Sequence, residues 1–151
     1  MEDKKAKTVM IFGTFDILHA GHENLFQQVK ELADHVTVVL ARDNTIRKLK
    51  GENPINNEKE RLKNLKETGY ADKVILGEHK DKYKIIKKLR PDIIALGYDQ
   101  FAFTYRLSKL MIDEKLPTKI LRLNPYKPLI YKSRILREKY ENTMDPAYAG
   151  I

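Results

Sequence analysis

Two histidines three positions apart, His19 and His22, follow an apolar run that ends in a glycine, Val9 to Phe12 and then Gly13. Imidazoles at that spacing share one face of a helix's first turn, where each can donate a ring N–H to an anion. The helix itself helps, because its first turn carries unpaired backbone N–H groups and a partial positive charge. Phosphate is the ligand this chemistry suits, and Gly21 between the rings lets a triphosphate lie directly against backbone. Asp16, between the glycine turn and the histidines, is placed to orient a ligand or a metal.

Such groups need elements to hold them. The β-branched and aromatic run Val9 to Phe12 reads as a buried strand, and Gly13 breaks it where the backbone turns or admits a ligand closely. From Glu23 the period changes: Leu25, Phe26, Val29, Leu32 and Ala33 recur three and four apart, which predicts a helix beginning near His19 to Gly21. The histidines therefore open a strand–turn–helix unit.

The same alternation runs on down the chain. Val36 to Ala41, Val74 to Leu76, Asp92 to Gly97 and Thr118 to Leu123 read as further short buried strands. Between them, Asn44 to Asn53 is a basic loop or short helix holding Arg47, Lys48 and Lys50. Asn57 caps a helix that Gly69 ends, Asp81 caps one from Lys82 to Arg90 that Pro91 stops, and Asp99 caps Gln100 to Glu114. Gly97 ends its strand as Gly13 does, so two glycine-ended strands would face one crevice at their carboxyl ends. Five strands alternating with helices predict a doubly wound, Rossmann-like α/β sheet in one domain over 1–151, with 1–7 and 142–151 as mobile ends.

Composition narrows the chemistry. With no cysteine there is no disulfide, thiolate nucleophile or cysteine-bound zinc. The 29 Lys and Arg against 21 Asp and Glu leave a formal charge of +8, which favours anionic partners. No apolar run approaches the roughly 18 to 20 residues that span a bilayer, and the first residues lack the apolar core of a secretory signal, so no membrane partner and a cytoplasmic location are expected.

The stretch from Gly13 to His22, Gly-Thr-Phe-Asp-Ile-Leu-His-Ala-Gly-His, resembles nucleotidyltransferases of the H-x-G-H type, in the cytidylyltransferase-like branch. Gly13-Thr-Phe-Asp16, Ala41-Arg-Asp43, Leu96-Gly-Tyr-Asp-Gln100 and Tyr131-Lys-Ser133 bring it nearest to the archaeal FAD synthetases, which adenylylate FMN. That resemblance implies the sheet order 3-2-1-4-5 and attack by a substrate phosphate on the α-phosphorus of a nucleoside triphosphate, ATP or CTP, with release of pyrophosphate. Relatives that are often dimers imply a homodimer here.

On that reading His19 and His22 act on the triphosphate and its transition state, and Thr14 and Phe15 form a wall. Lys48 or Lys50, with Lys48 preferred, contacts phosphate. Asp99 serves the base or ribose, and Tyr131, Lys132 and Ser133 form a second phosphate cradle opposite the histidines. Arg61, following Glu60, either shapes the site as in the resembled enzymes or is a plain surface partner at helical spacing. Magnesium is expected to travel with the triphosphate rather than in a protein cage, because a hard dication keeps oxygen and water ligands. The competing acceptor is glycerol 3-phosphate or another alcohol phosphate with CTP. A basic nucleic-acid-binding domain is the reading outside enzymes, and it has no use for two glycine-ended strands at one crevice.

Overall fold

The computed structural model describes residues 7–78, 81, 83–97 and 101–124. Five parallel strands form its sheet: β1 (Thr8–Gly13), β2 (His35–Leu40), β3 (Lys73–Leu76), β4 (Ile93–Leu96) and β5 (Lys119–Arg122), in the order β3-β2-β1-β4-β5. The expected doubly wound order is the one observed. Among the described residues five helices connect them: α1 (Ala20–Leu32), α2 (Asp43–Lys50), α3 (Glu58–Thr68), α4 (Lys84–Leu89) and α5 (Phe101–Asp113).

The two faces of the sheet sort the helices. Val9, Ile11, Val36 and Val38 point to one side, where Phe26 and Val29 of α1 and Leu65 of α3 cover them. Met10, Val39, Ile94 and Leu96 point to the other, beneath Ile86 of α4 and Leu107 of α5. Because both faces are covered, the central strands read as continuous apolar runs rather than alternating ones. Reversal of the winding direction at β1 opens the crevice between β1 and β4 at their carboxyl ends. Ile11 pairs with Ala95, and the same register carried two residues on sets Gly13 level with Gly97.

The opposite edge of the sheet is pinned by aspartates. Asp34 accepts from the Lys7 N–H at 3.0 Å, Asp72 from the Val36 N–H at 2.8 Å, and Asp92 from the Thr8 N–H at 2.8 Å. Each carboxylate immediately precedes or lies next to the start of one strand and holds the first amides of its neighbour. A register slip by one residue would turn every core side chain outward.

Local endings follow the sequence closely. Asn57 accepts from the Glu60 N–H at 2.9 Å, and Gly69 closes α3 at φ 71°. The basic segment after β2 is a helix, ended by Gly51 at φ 74°. One expectation shifts: Asp81 accepts from the Tyr83 N–H at 3.0 Å, but α4 begins only at Lys84, so the aspartate caps a preceding turn.

Candidate active site

α1 begins at Ala20, and His19 is its cap. The His19 Nδ1 accepts from the Gly21 N–H at 3.0 Å, and the His22 Nδ1 accepts from the His19 N–H at 3.3 Å. Each ring thus satisfies the backbone beside the other, and the two centroids lie 3.9 Å apart. With Nδ1 accepting in both neutral rings, the ring hydrogens sit on Nε2.

Burial pushes the His19 pKa down to about 4. His22 falls to about 3, first through burial and then through its neighbour His19. Near neutral pH the pair is therefore uncharged, two N–H donors at the positive end of a helix.

This differs from a cradle of open backbone amides. The Gly21 N–H is held by the His19 ring, and the N–H groups of His22 and Glu23 both reach the His19 carbonyl, at 3.0 and 3.2 Å. Histidine at the cap position converts backbone donors into ring donors, because an imidazole can accept at one nitrogen while donating at the other.

The turn leading into the helix is strained and tightly held. Phe15 has φ 49°, in the left-handed region that aromatic residues rarely adopt. Its ring lies so close to Gly13 that a Cβ there would meet Phe15 Cε2 at 2.7 Å. Phe15, expected as a wall of the site, is buried in the α1 core, and its ring stands 5.0 Å from His22 and 5.7 Å from Phe26. Gly13 therefore makes room for a neighbouring ring.

Asp16 likewise faces the protein. Its two carboxylate oxygens accept the N–H groups of Ile55 and Asn56 at 2.7 and 2.8 Å, and Asn56 Nδ2 returns a bond to the Asp16 carbonyl at 2.7 Å. These bonds fasten the loop before α3.

Arg61 completes the fastening and is no surface residue: its exposure is 0 %. The guanidinium donates to the Asn56 carbonyl at 3.0 Å, the Thr14 carbonyl at 3.0 Å and the Asp43 carboxylate at 2.9 Å. Asp43 and Glu58 exchange backbone-to-carboxylate bonds at 3.2 Å, and Arg42 bridges Glu58 at 3.1 Å and the Gly77 carbonyl at 2.6 Å. The ends of β1, β2 and β3 are thereby tied to the start of α3. Arg42, Asn56 and Glu58 were not anticipated as site residues; the position of Arg42 and Asp43 directly after an apolar strand was the available signal.

Lys48 is exposed near the end of α2, following the strand whose Leu40 pairs with Gly13, and Lys50 is exposed at the same end. The Gly97 carbonyl accepts from Arg122 Nη1 at 2.8 Å. Asp99, Tyr131, Lys132 and Ser133 lie outside the described residues, as do 142–151.

The family model described as cytidylyltransferase-like matches residues 10–139. The chain is 38% identical to the FAD synthase of Thermococcus sibiricus, over 91% of this chain and 90% of that one. With the FAD synthase of Pyrococcus abyssi it shares 39% identity over 82% of each. A crystal structure described as the lipopolysaccharide core biosynthesis protein of Thermoplasma volcanium superposes with a TM-score of 0.75 at 38% identity, covering 82% of this chain and all of that one. A strand–turn–helix unit with its histidines at the cap, a five-stranded 3-2-1-4-5 sheet and a match over most of the length together make this chain a member of the cytidylyltransferase-like family of nucleotidyltransferases.

Proposed function

We propose that this enzyme transfers AMP from ATP to FMN, forming FAD and diphosphate. The observation that carries the reading is the pair of mutually capping histidines at one helix start, in a chain 38% identical to an archaeal FAD synthase over 91% of its length. A phosphate oxygen of FMN forms a bond to the α-phosphorus, and the bond from that phosphorus to the bridging oxygen of the leaving diphosphate breaks. The attacking group is already an anion, so the protein needs no general base. Its tasks are alignment and stabilisation of the charge that grows on the α-phosphate and the leaving group.

In this reading His19 and His22 donate their Nε2 hydrogens to those oxygens. The burial that keeps the rings neutral also strengthens each hydrogen bond, since a site of low dielectric screens charge weakly. Lys48 approaches the phosphates from α2, while Gly13, Thr14, Gly21 and Gly97 supply backbone at the crevice. Asp99 serves the base or ribose, and Tyr131, Lys132 and Ser133 form the second phosphate cradle.

Magnesium enters with the triphosphate as part of the substrate. Among the described residues no group of three or more His, Asp or Glu side chains comes together as a cation cage, and the Asp16 carboxylate already holds two amides. We place the enzyme in the cytoplasm as a homodimer; no helix among the described residues is long and apolar enough to cross a membrane.

The test supplies FMN with ATP labelled at the α-phosphate. Labelled FAD and unlabelled diphosphate are expected. Diphosphate release only with CTP and an alcohol phosphate would replace this acceptor with glycerol 3-phosphate or a relative of it.

A further inference from the structure

We propose that Phe15 is a positioning residue for nucleotidyl transfer: its strained backbone drives its ring into the space left by Gly13 and against His22, fixing the plane of that imidazole. The inference rests on the function proposed above and adds a role for the Phe15 side chain, exerted through His22.

Three observations support it. First, φ 49° places an aromatic side chain where L-residues are disfavoured, and such a conformation persists only when its surroundings over-determine it. They do so here. The residue before Phe15 is gripped at its carbonyl by Arg61 Nη1, at 3.0 Å, and the residue after it is gripped at both carboxylate and carbonyl by Ile55 and Asn56.

Second, Gly13 is shaped to the ring. A Cβ at position 13 would stand 2.7, 3.1 and 3.4 Å from three atoms of Phe15, so any side chain there must push the ring away. The strand end and the strained residue are matched parts of one device.

Third, the ring is 6% exposed and 5.0 Å from His22, tilted 47° to it, with Phe26 5.7 Å away. Among the described residues the His22 imidazole takes part in one hydrogen bond, its Nδ1 accepting from the His19 N–H at 3.3 Å. A single long bond leaves the imidazole free to swing, and packing against Phe15 and the His19 ring, 3.9 Å away, limits that swing. A donor must be aimed to within a small angle if it is to stabilise charge that exists only in the transition state.

The experiment compares Phe15→Leu, Gly13→Ala, their double variant and Val36→Ala by kinetics and by NMR titration of His22. Phe15→Leu is expected to lower kcat at least ten-fold with KM for the triphosphate within two-fold, and to raise the His22 midpoint by at least one pH unit as water reaches the ring. Gly13→Ala should do the same by displacing the ring, and the double variant should be no worse than Phe15→Leu alone. Val36→Ala, which thins the same core at the other end of the strands from Gly13, should destabilise the fold and leave the titration in place. A His22 midpoint unchanged in both Phe15→Leu and Gly13→Ala, or additive losses in the double variant, would overturn the proposal. Should the wild type transfer no nucleotide at all, the functional reading fails, yet the titration and the pairing of positions 13 and 15 still decide the role of Phe15.

Discussion

Arg61 reaches across from α3 to donate to the backbone carbonyl of Thr14, at 3.0 Å, from a position with no exposure to solvent. A buried guanidinium is expensive unless its donors are met, and this one meets Asn56, Thr14 and Asp43 together. It joins the turn that precedes the histidines to the helix after β2.

Removing that side chain leaves a cavity, takes a donor from two carbonyls and leaves the Asp43 carboxylate with the Glu58 N–H but without its ion pair. Arg61→Ala should therefore lose about 2 to 4 kcal/mol in urea unfolding, and Arg61→Lys should recover only part of it because an ammonium cannot reach three acceptors in a plane. A loss within experimental error would mean that the network does not hold the site together.

Capping and chemistry can be separated at His19. Asparagine is a strong helix cap and can accept from the Gly21 N–H as Nδ1 does, but its side chain ends short of Nε2. His19→Asn should keep stability within about 0.5 kcal/mol while nucleotidyl transfer falls about 10² to 10³-fold.

The histidines also give stability a pH dependence of known sign. Unfolded, each binds a proton near its ordinary pKa of 6.5; folded, His19 does so only near 4 and His22 near 3. In that window the unfolded chain holds more protons, so stability rises with pH, is complete above about 6.5 and is lost as pH falls toward the folded values. Urea midpoints of the wild type should drop between about pH 7 and about pH 5, and His22→Asn should show a shallower drop.

Lys48 offers the opposite case. It is exposed on α2, so Lys48→Ala should change stability by less than about 0.5 kcal/mol. KM for the triphosphate should rise several-fold, and less so at high salt, where the charge of the wild-type lysine is screened.

Much of the fold was legible because its signals are local and repeated. Apolar runs such as Val36 to Leu40, Asn57 at a cap and Gly69 at a helix end each carry their own physical reason, and the observed elements follow them. The histidines were legible too, since spacing alone puts them on one helical face. What the sequence hid was contact at a distance. Nothing near Arg61 shows that it would cross to Thr14, a separation of 47 residues, or that Asp16 would close on Ile55 and Asn56. The Phe15 backbone was hidden for a different reason: a left-handed φ at an aromatic residue is set by tertiary packing and has no local signature.

The central claim is that neutral, mutually capped histidines carry the transfer of AMP to FMN. Its most direct measurement is FAD formation from FMN and α-labelled ATP by wild type and by folded His19→Asn and His22→Asn variants. The account predicts labelled FAD from the wild type and a loss of about 10²-fold or more in each variant with the thermal transition retained. Transfer at the wild-type rate by either folded variant would contradict it.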